Sequence, residues 1–147
     1  MKTIVSIAIS ALALCLAACS NEDDINAIFV GKTWQITSAT TEGETLNGEE
    51  IKELYAHTGA YYLIFTASTF TGALVSGSSI AGKWSADGDT RALRLNFTTA
   101  QQVSASDVSK TIYDILSNAT AYAGDENTLY IKQDSRNYVL LSSSTAQ

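Results

Sequence analysis

Hydrophobic and polar positions divide the chain into an apolar leader, a short acidic stretch and a long body of alternating segments. From Ile4 to Leu14 apolar residues follow one another with only small serines between them, behind a single positive charge at Lys2. That run is shorter than the roughly 20 residues needed to cross a bilayer as a helix. Leu16-Ala17-Ala18 then presents small side chains, so residues 1–18 are expected to be a signal peptide that is removed. Behind it, residues 19–28 read as a tether and residues 29–147 as one domain, a length that suits a single core.

Within the body, period-two alternation predicts strands and three-to-four spacing predicts helices. Phe29 to Thr40 is expected to be the first strand, with Trp34, Ile36 and Ser38 on one face. Thr41 to Gly48 is polar and loop-like. Asn47 and Glu50 have the spacing of a capping box, which predicts a short helix with Ile51, Leu54 and Tyr55 on one side and Gly59 as its stop. Ala60 to Thr66 and Thr69 to Val75 read as strands, the first apolar on both faces and therefore central. Ile80, Gly82 and Trp84 line one face of the next strand, and Asp87-Gly88 predicts a hairpin turn in which the glycine takes positive φ. Its return strand sends Leu93, Leu95 and Phe97 inward. A second helix is expected from Asp107 to Ala123, capped by Ser106 or Ser104 and striped by Val108, Ile112, Ile115, Leu116 and Ala119, with Gly124 ending it. Thr128 to Gln133 and Tyr138 to Ser142 form the last hairpin. Seven strands and two helices result, and closing a sheet of such short antiparallel strands removes its exposed edges.

Leu16-Ala17-Ala18-Cys19 resembles the bacterial lipobox, in which the cysteine sulfur takes a diacylglyceryl group and becomes the new N-terminus. That resemblance implies a membrane partner through lipid on Cys19, and two or three acyl chains hold a protein firmly at about 0.8 kcal/mol per buried CH₂. Cys15 is lost with the leader and Cys19 is used by lipid, so the mature domain is left without a thiol or a disulfide. Ser20, Asn21, Glu22, Asp23 and Asp24 follow. Their composition suits a solvated tether, and an acidic cluster there resembles the surface-export signal of lipoproteins in Gram-negative gut anaerobes. The resemblance implies an outer-membrane, surface-exposed protein, with a periplasm-facing one as the alternative.

Gly31-Lys32-Thr33-Trp34 and Gly82-Lys83-Trp84 each place a Trp just after a Gly, and Phe70-Thr71-Gly72 and Leu129-Tyr130-Ile131 add to the pattern. These motifs resemble the lipocalin-like and META-type domains of small bacterial envelope lipoproteins of unknown function. The first copy carries one residue too many between Gly and Trp for the strict lipocalin pattern. The fold expected is α+β and mainly antiparallel β: a lipocalin-like (calycin-like) meander barrel or strongly curved sheet of about seven strands with two helices. An open sheet with both helices on one side is the other architecture that fits.

Chemistry is sparse. Counting 9 basic and 15 acidic residues, and removing Lys2, leaves a net charge of about −7, which argues against nucleic acid as a partner. His57 is the single histidine, placed in the last turn of the first helix with no nucleophile beside it. With neither histidines nor thiols to spare, no metal site, no cofactor and no catalytic residue is expected. Glu49 and Glu53 lie one turn apart and read as a solvated face. Asp87-Gly88-Asp89 and Asp125-Glu126-Asn127 offer oxygen ligands but read as turns, and the triplets at Asn96 and Asn118 are discounted in a bacterial chain. Aromatics are the residues in supply: Trp34, Tyr61, Trp84, Tyr113, Tyr130 and Tyr138 either fill the core or line a ligand surface. The function expected is a non-catalytic module that contacts another envelope or host protein, with a carrier of a small apolar or amphipathic ligand in the barrel interior as the alternative.

Cys19→Ala is expected to abolish lipid attachment, read by incorporation of radiolabelled palmitate. Undiminished labelling of that variant would remove the anchor from residue 19.

Overall fold

The computed structural model describes residues 23–144. Cys19, Ser20, Asn21 and Glu22, on which the lipidation and export expectations fall, lie outside the described residues. In chain order the elements are α1 (Ile25–Phe29), β1 (Thr33–Thr41), β2 (Glu44–Thr45), α2 (Gly48–Tyr55), β3 (Tyr62–Phe65), β4 (Thr69–Ala73), β5 (Ser79–Ala86), β6 (Leu93–Gln101), α3 (Asp107–Ser117), β7 (Ala121–Gly124), β8 (Thr128–Lys132) and β9 (Tyr138–Ser144).

Eight of these strands form one sheet in the order β6-β5-β4-β3-β1-β9-β8-β7, each neighbour antiparallel, with β2 folded back on β1. The sheet curls until its two edges meet. Ala92 bridges Ala121, Leu93 N–H donates to Thr120 O at 3.0 Å, and Tyr122 N–H donates to Arg91 O at 3.0 Å. Past that point the edges separate and α3 covers the gap, packing on β6, β8 and β9. The result is a curled, mostly antiparallel half-barrel of calycin-like form, the class expected. Covering the flank with a helix answers the same edge problem that full closure would.

Several elements follow the pattern read from sequence. Asn47 and Glu50 form the capping box, with Asn47 N–H donating to Glu50 Oε1 at 3.0 Å and Glu50 N–H to Asn47 Oδ1 at 2.9 Å. Ser106 is the cap of α3, and Val108, Ile112, Ile115, Leu116 and Ala119 are buried as the stripe predicts. β3 lies centrally between β1 and β4. Gly82 is held to its residue type by close approach: a β-carbon there would sit 2.0 Å from the Asn96 carbonyl oxygen, at a bulge where β5 and β6 shift register.

Other elements differ, and the count among the described residues is nine strands and three helices rather than seven and two. Residues 25–29 form α1 rather than tether and strand: Asp24 caps the turn by accepting from Ala27 N–H at 3.1 Å, and Ile28 and Phe29 are buried beneath the barrel. Ser38 does not share a face with Trp34 and Ile36. An extra residue, Thr37, is inserted opposite β9, so Ser38 turns outward and Ala39 takes the buried side. Tyr55 is 57% exposed and does not share the buried side of α2 with Leu54. The second predicted helix stops at Ser117, and residues 121–124 form β7 instead; Asn118 closes the helix by donating its side chain to Asp114 O at 2.8 Å. The turn after Asp87 takes its positive φ at Arg91 (63°), not at Gly88.

Side chains fill the interior. Phe29 sets its ring centroid 4.9 Å from Trp84, 5.1 Å from Phe65 and 5.2 Å from Tyr122. Both indoles are buried with their N–H groups satisfied, Trp34 by Phe29 O at 3.2 Å and Trp84 by Thr66 O at 2.8 Å. Trp34 and Trp84 are therefore core anchors. Trp84→Ala is expected to destabilise the fold by about 3–5 kcal/mol in urea unfolding, because the ring leaves a cavity among aromatics. A loss below about 0.5 kcal/mol would show that its neighbours do not depend on it.

Candidate functional site

The barrel has unlike ends. At one, the residues flanking α1 bond to the β5–β6 and β7–β8 turns, Asp23 N–H to Gly88 O at 3.0 Å and Lys32 Nζ to Glu126 O at 3.2 Å. At the other, α2, the β4–β5 turn, the end of β6 and the start of α3 leave a cleft of about 370 Å³, lined among others by Glu53, His57, Tyr61, Val75, Gln102 and Ser106. A volume in that range is what small ligands and anchoring side chains occupy.

Three side chains from separate elements meet there. The capping box sets the start of α2, which turns Glu53 toward the barrel. Ser106 caps α3 by accepting from Ser109 N–H at 3.0 Å, and its own hydroxyl donates to Glu53 Oε2 at 2.6 Å. The Tyr61 hydroxyl donates to the same oxygen. Tyr61 sits at φ 54°, a left-handed conformation seldom adopted by a bulky residue. It is held there by backbone bonds: its N–H donates to Leu74 O at 2.7 Å, and its carbonyl accepts from Ile36 N–H at 2.8 Å and from Gln35 Nε2 at 3.0 Å. Burial, and after it the bond to Glu53, pushes the Tyr61 hydroxyl above the ordinary phenol range. It therefore stays protonated at neutral pH and acts as a donor, which suits positioning a carboxylate and not abstracting a proton.

A second polar cluster lies at the plugged end. Asp23 Oδ2 accepts from the Tyr122 hydroxyl at 2.8 Å and from Arg91 Nε at 3.1 Å, while Asp23 N–H donates to Gly88 O at 3.0 Å. The Tyr122 bond and then the Arg91 bond hold the Asp23 carboxyl below its ordinary value of 3.8. Asp23 and Asp24, read from sequence as tether, are thus both engaged with the body.

The remaining predicted residues scatter. Tyr113 packs edge-on to Phe97 at 5.0 Å. Tyr130 and Tyr138 pair at 5.8 Å on the outer face, beside Ser38 and Leu140 in a hollow of about 130 Å³. Glu49 faces solvent and pairs with Lys52 at 3.1 Å, but Glu53 does not share that solvated face. His57 is exposed and lies past the Ala56 C-cap of α2, not in its last turn. Asp87 and Asp125 fold back on their own turns, each accepting from the backbone two and three residues on. Among the described residues no group of three His, Cys, Asp or Glu is placed to hold a metal ion. Sequence reasoning missed Glu53 and Tyr122 as polar anchors. Only the Ser106 cap hinted at the first, and its contact with Glu53 spans 53 positions of chain.

A family model described as a domain of unknown function, DUF4847, matches residues 20–142. The chain belongs to the DUF4847 family. A solved relative is the crystal structure of a DUF4847 family protein from Bacteroides vulgatus ATCC 8482, with a TM-score of 0.69 and 23% identity, covering 84% of this chain and 99% of that one. At that identity the likeness establishes the fold of this DUF4847 domain. No curated protein matches the sequence.

Because the folded state lowers the Asp23 pKa, the clasp contributes its full stability above the ordinary carboxylate value and loses it as pH falls through the lower, folded one. Asp23→Asn or Tyr122→Phe is expected to speed amide exchange of Ile25 to Phe29 at neutral pH by up to about fivefold, the scale of an exposed ion pair. Acid below pH 3.8 should lower the protection of these amides, taken relative to their intrinsic exchange at that pH, in the parent protein and not in Asp23→Asn. Identical exchange in all three would show that α1 is held by Phe29 alone.

Proposed function

We propose that this protein is a non-catalytic, lipid-anchored envelope module that docks a protein partner at the open end of its barrel. The observation that carries this reading is the Asp23 clasp. In the proposal Cys19 bears the lipid, and only three residues lie between it and Asp23, so the four steps of chain reach at most about 14 Å. With Asp23 bonded to Arg91 and Tyr122 at the plugged end, a lipid on Cys19 turns that end toward the membrane and the cleft beside Glu53 away from it. The packed interior favours contact on the outside over a ligand held within, since Phe29, Phe65, Trp84 and Tyr122 already occupy the space. The acidic body suits display above an anionic envelope. In this reading the anchor lies in an outer membrane with the body exposed outside, as the acidic residues behind Cys19 led us to expect.

The test is site-specific photocrosslinking in intact cells, with the probe at residue 57 beside the cleft or at residue 126 beside α1. A discrete protein adduct is expected from position 57 and lipid adducts from position 126. Protein adducts from position 126 alone, or from neither, would overturn the docking orientation.

A further inference from the structure

We infer that the cleft at the open end takes the ammonium group of a lysine side chain presented by the docked protein. The inference rests on the docking reading above and adds the chemistry of the anchor. Glu53 is the deciding residue. Its Oε2 is already filled by the Tyr61 and Ser106 hydroxyls, while its Oε1 has no hydrogen-bond partner among the described residues. Nor does Glu53 have a cation of its own: the ion pairs among the described residues join Lys52 to Glu49, Arg91 to Asp23 and Lys110 to Asp114. A carboxylate pinned by two neutral donors, facing a cleft with one oxygen open, is a preorganised acceptor for a charged donor, and charge-assisted bonds are the strong ones.

The walls select among cations. Ala56, Ala60, Val75 and Ala105 line the cleft with small apolar groups, which suits an alkyl stem. A guanidinium binds best to two carboxylate oxygens side by side, and Glu53 offers one, so the point charge of an ammonium fits better. The Gln102 amide on the rim is available to a peptide backbone. The surroundings add a field of the right sign. Glu42, Glu44 and Glu50 border a neighbouring hollow of about 290 Å³ on the other side of α2. Of the nearby cations, Lys52 is paired with Glu49, while Arg136 donates to the Glu42 carbonyl and keeps its charge, so the three carboxylates still outweigh it. Such a field speeds encounter with a basic surface and disfavours an acidic one.

The experiment uses the full-length, ¹⁵N-labelled protein in detergent and follows the amide signals of Ala56, Gln102 and Ser106 by NMR. Three probes are titrated: a glycine-flanked lysine peptide, its norleucine counterpart and free n-butylammonium. The lysine peptide is expected to shift these signals saturably, with the norleucine peptide and butylammonium each at least about tenfold weaker. Glu53→Gln, which keeps an oxygen for Tyr61 and Ser106, should weaken the lysine peptide by a similar factor. Equal binding of the norleucine peptide overturns the inference on the parent protein alone, whether or not the variant folds. Undiminished binding by folded Glu53→Gln also overturns it. Butylammonium binding as tightly as the peptide overturns it in favour of a free amine. If these fail while position 57 still crosslinks to a protein, docking stands and the lysine anchor falls; if position 57 yields nothing, docking itself is lost.

Discussion

Phe29 ends a five-residue helix and sets its ring against Phe65, Trp84 and Tyr122, with Trp34 bonded to its carbonyl. Those partners come from β3, β5, β7 and β1, so one residue ties together strands from both halves of the sheet. Each tilted or edge-to-face aromatic contact adds about 0.5–1.5 kcal/mol beyond the area it buries. The need it answers is geometric. A curled sheet whose edges meet at a single bridge encloses a space open at both ends, and a domain with no disulfide has only packing to close it. α1 closes one end and α3 the flank.

That solution makes the two ends chemically different. The plugged end spends its polar groups on holding the chain: Lys32 donates to Ala27 O at 2.8 Å and Glu126 O at 3.2 Å, and Asp23 is bound by Arg91 and Tyr122. At the open end α2 and the start of α3 leave a cleft beside the sheet. There a carboxylate is oriented by two hydroxyls and still borders open space. Internal stability and a surface for recognition are thus separated along the barrel axis, and a change at one end need not disturb the other.

Ser109, Tyr61 and Tyr122 show the same economy. Ser109, fully buried in the apolar stripe of α3, donates its hydroxyl to Val103 O at 2.8 Å and so closes the turn before the helix. Tyr61 and Tyr122 are both core aromatics whose hydroxyls reach a carboxylate at opposite ends of the molecule. In each case the ring fills the interior and the phenol spans from core to rim, which a phenylalanine could not do.

Local chemistry determined much of this structure from sequence alone. The Asn47–Glu50 capping box, the Ser106 cap, the stripe from Val108 to Ala119 and the hairpin from Ile80 to Thr98 each follow from residues near one another in the chain. The curled antiparallel class follows from their order. What sequence left open depends on distant partners. α1 has too few residues to be stable by propensity and exists because the barrel receives Phe29. The helix from Asp107 gives way to β7 after Asn118 because β8 offers residues 121–124 a strand to pair with. The phase of β1 slips at Thr37 because β9 imposes its register. Glu53 looked like one more solvated carboxylate on α2. Only the tertiary structure brought it to Tyr61 and Ser106, since the neighbours that decide a side chain's role lie across space rather than along the chain.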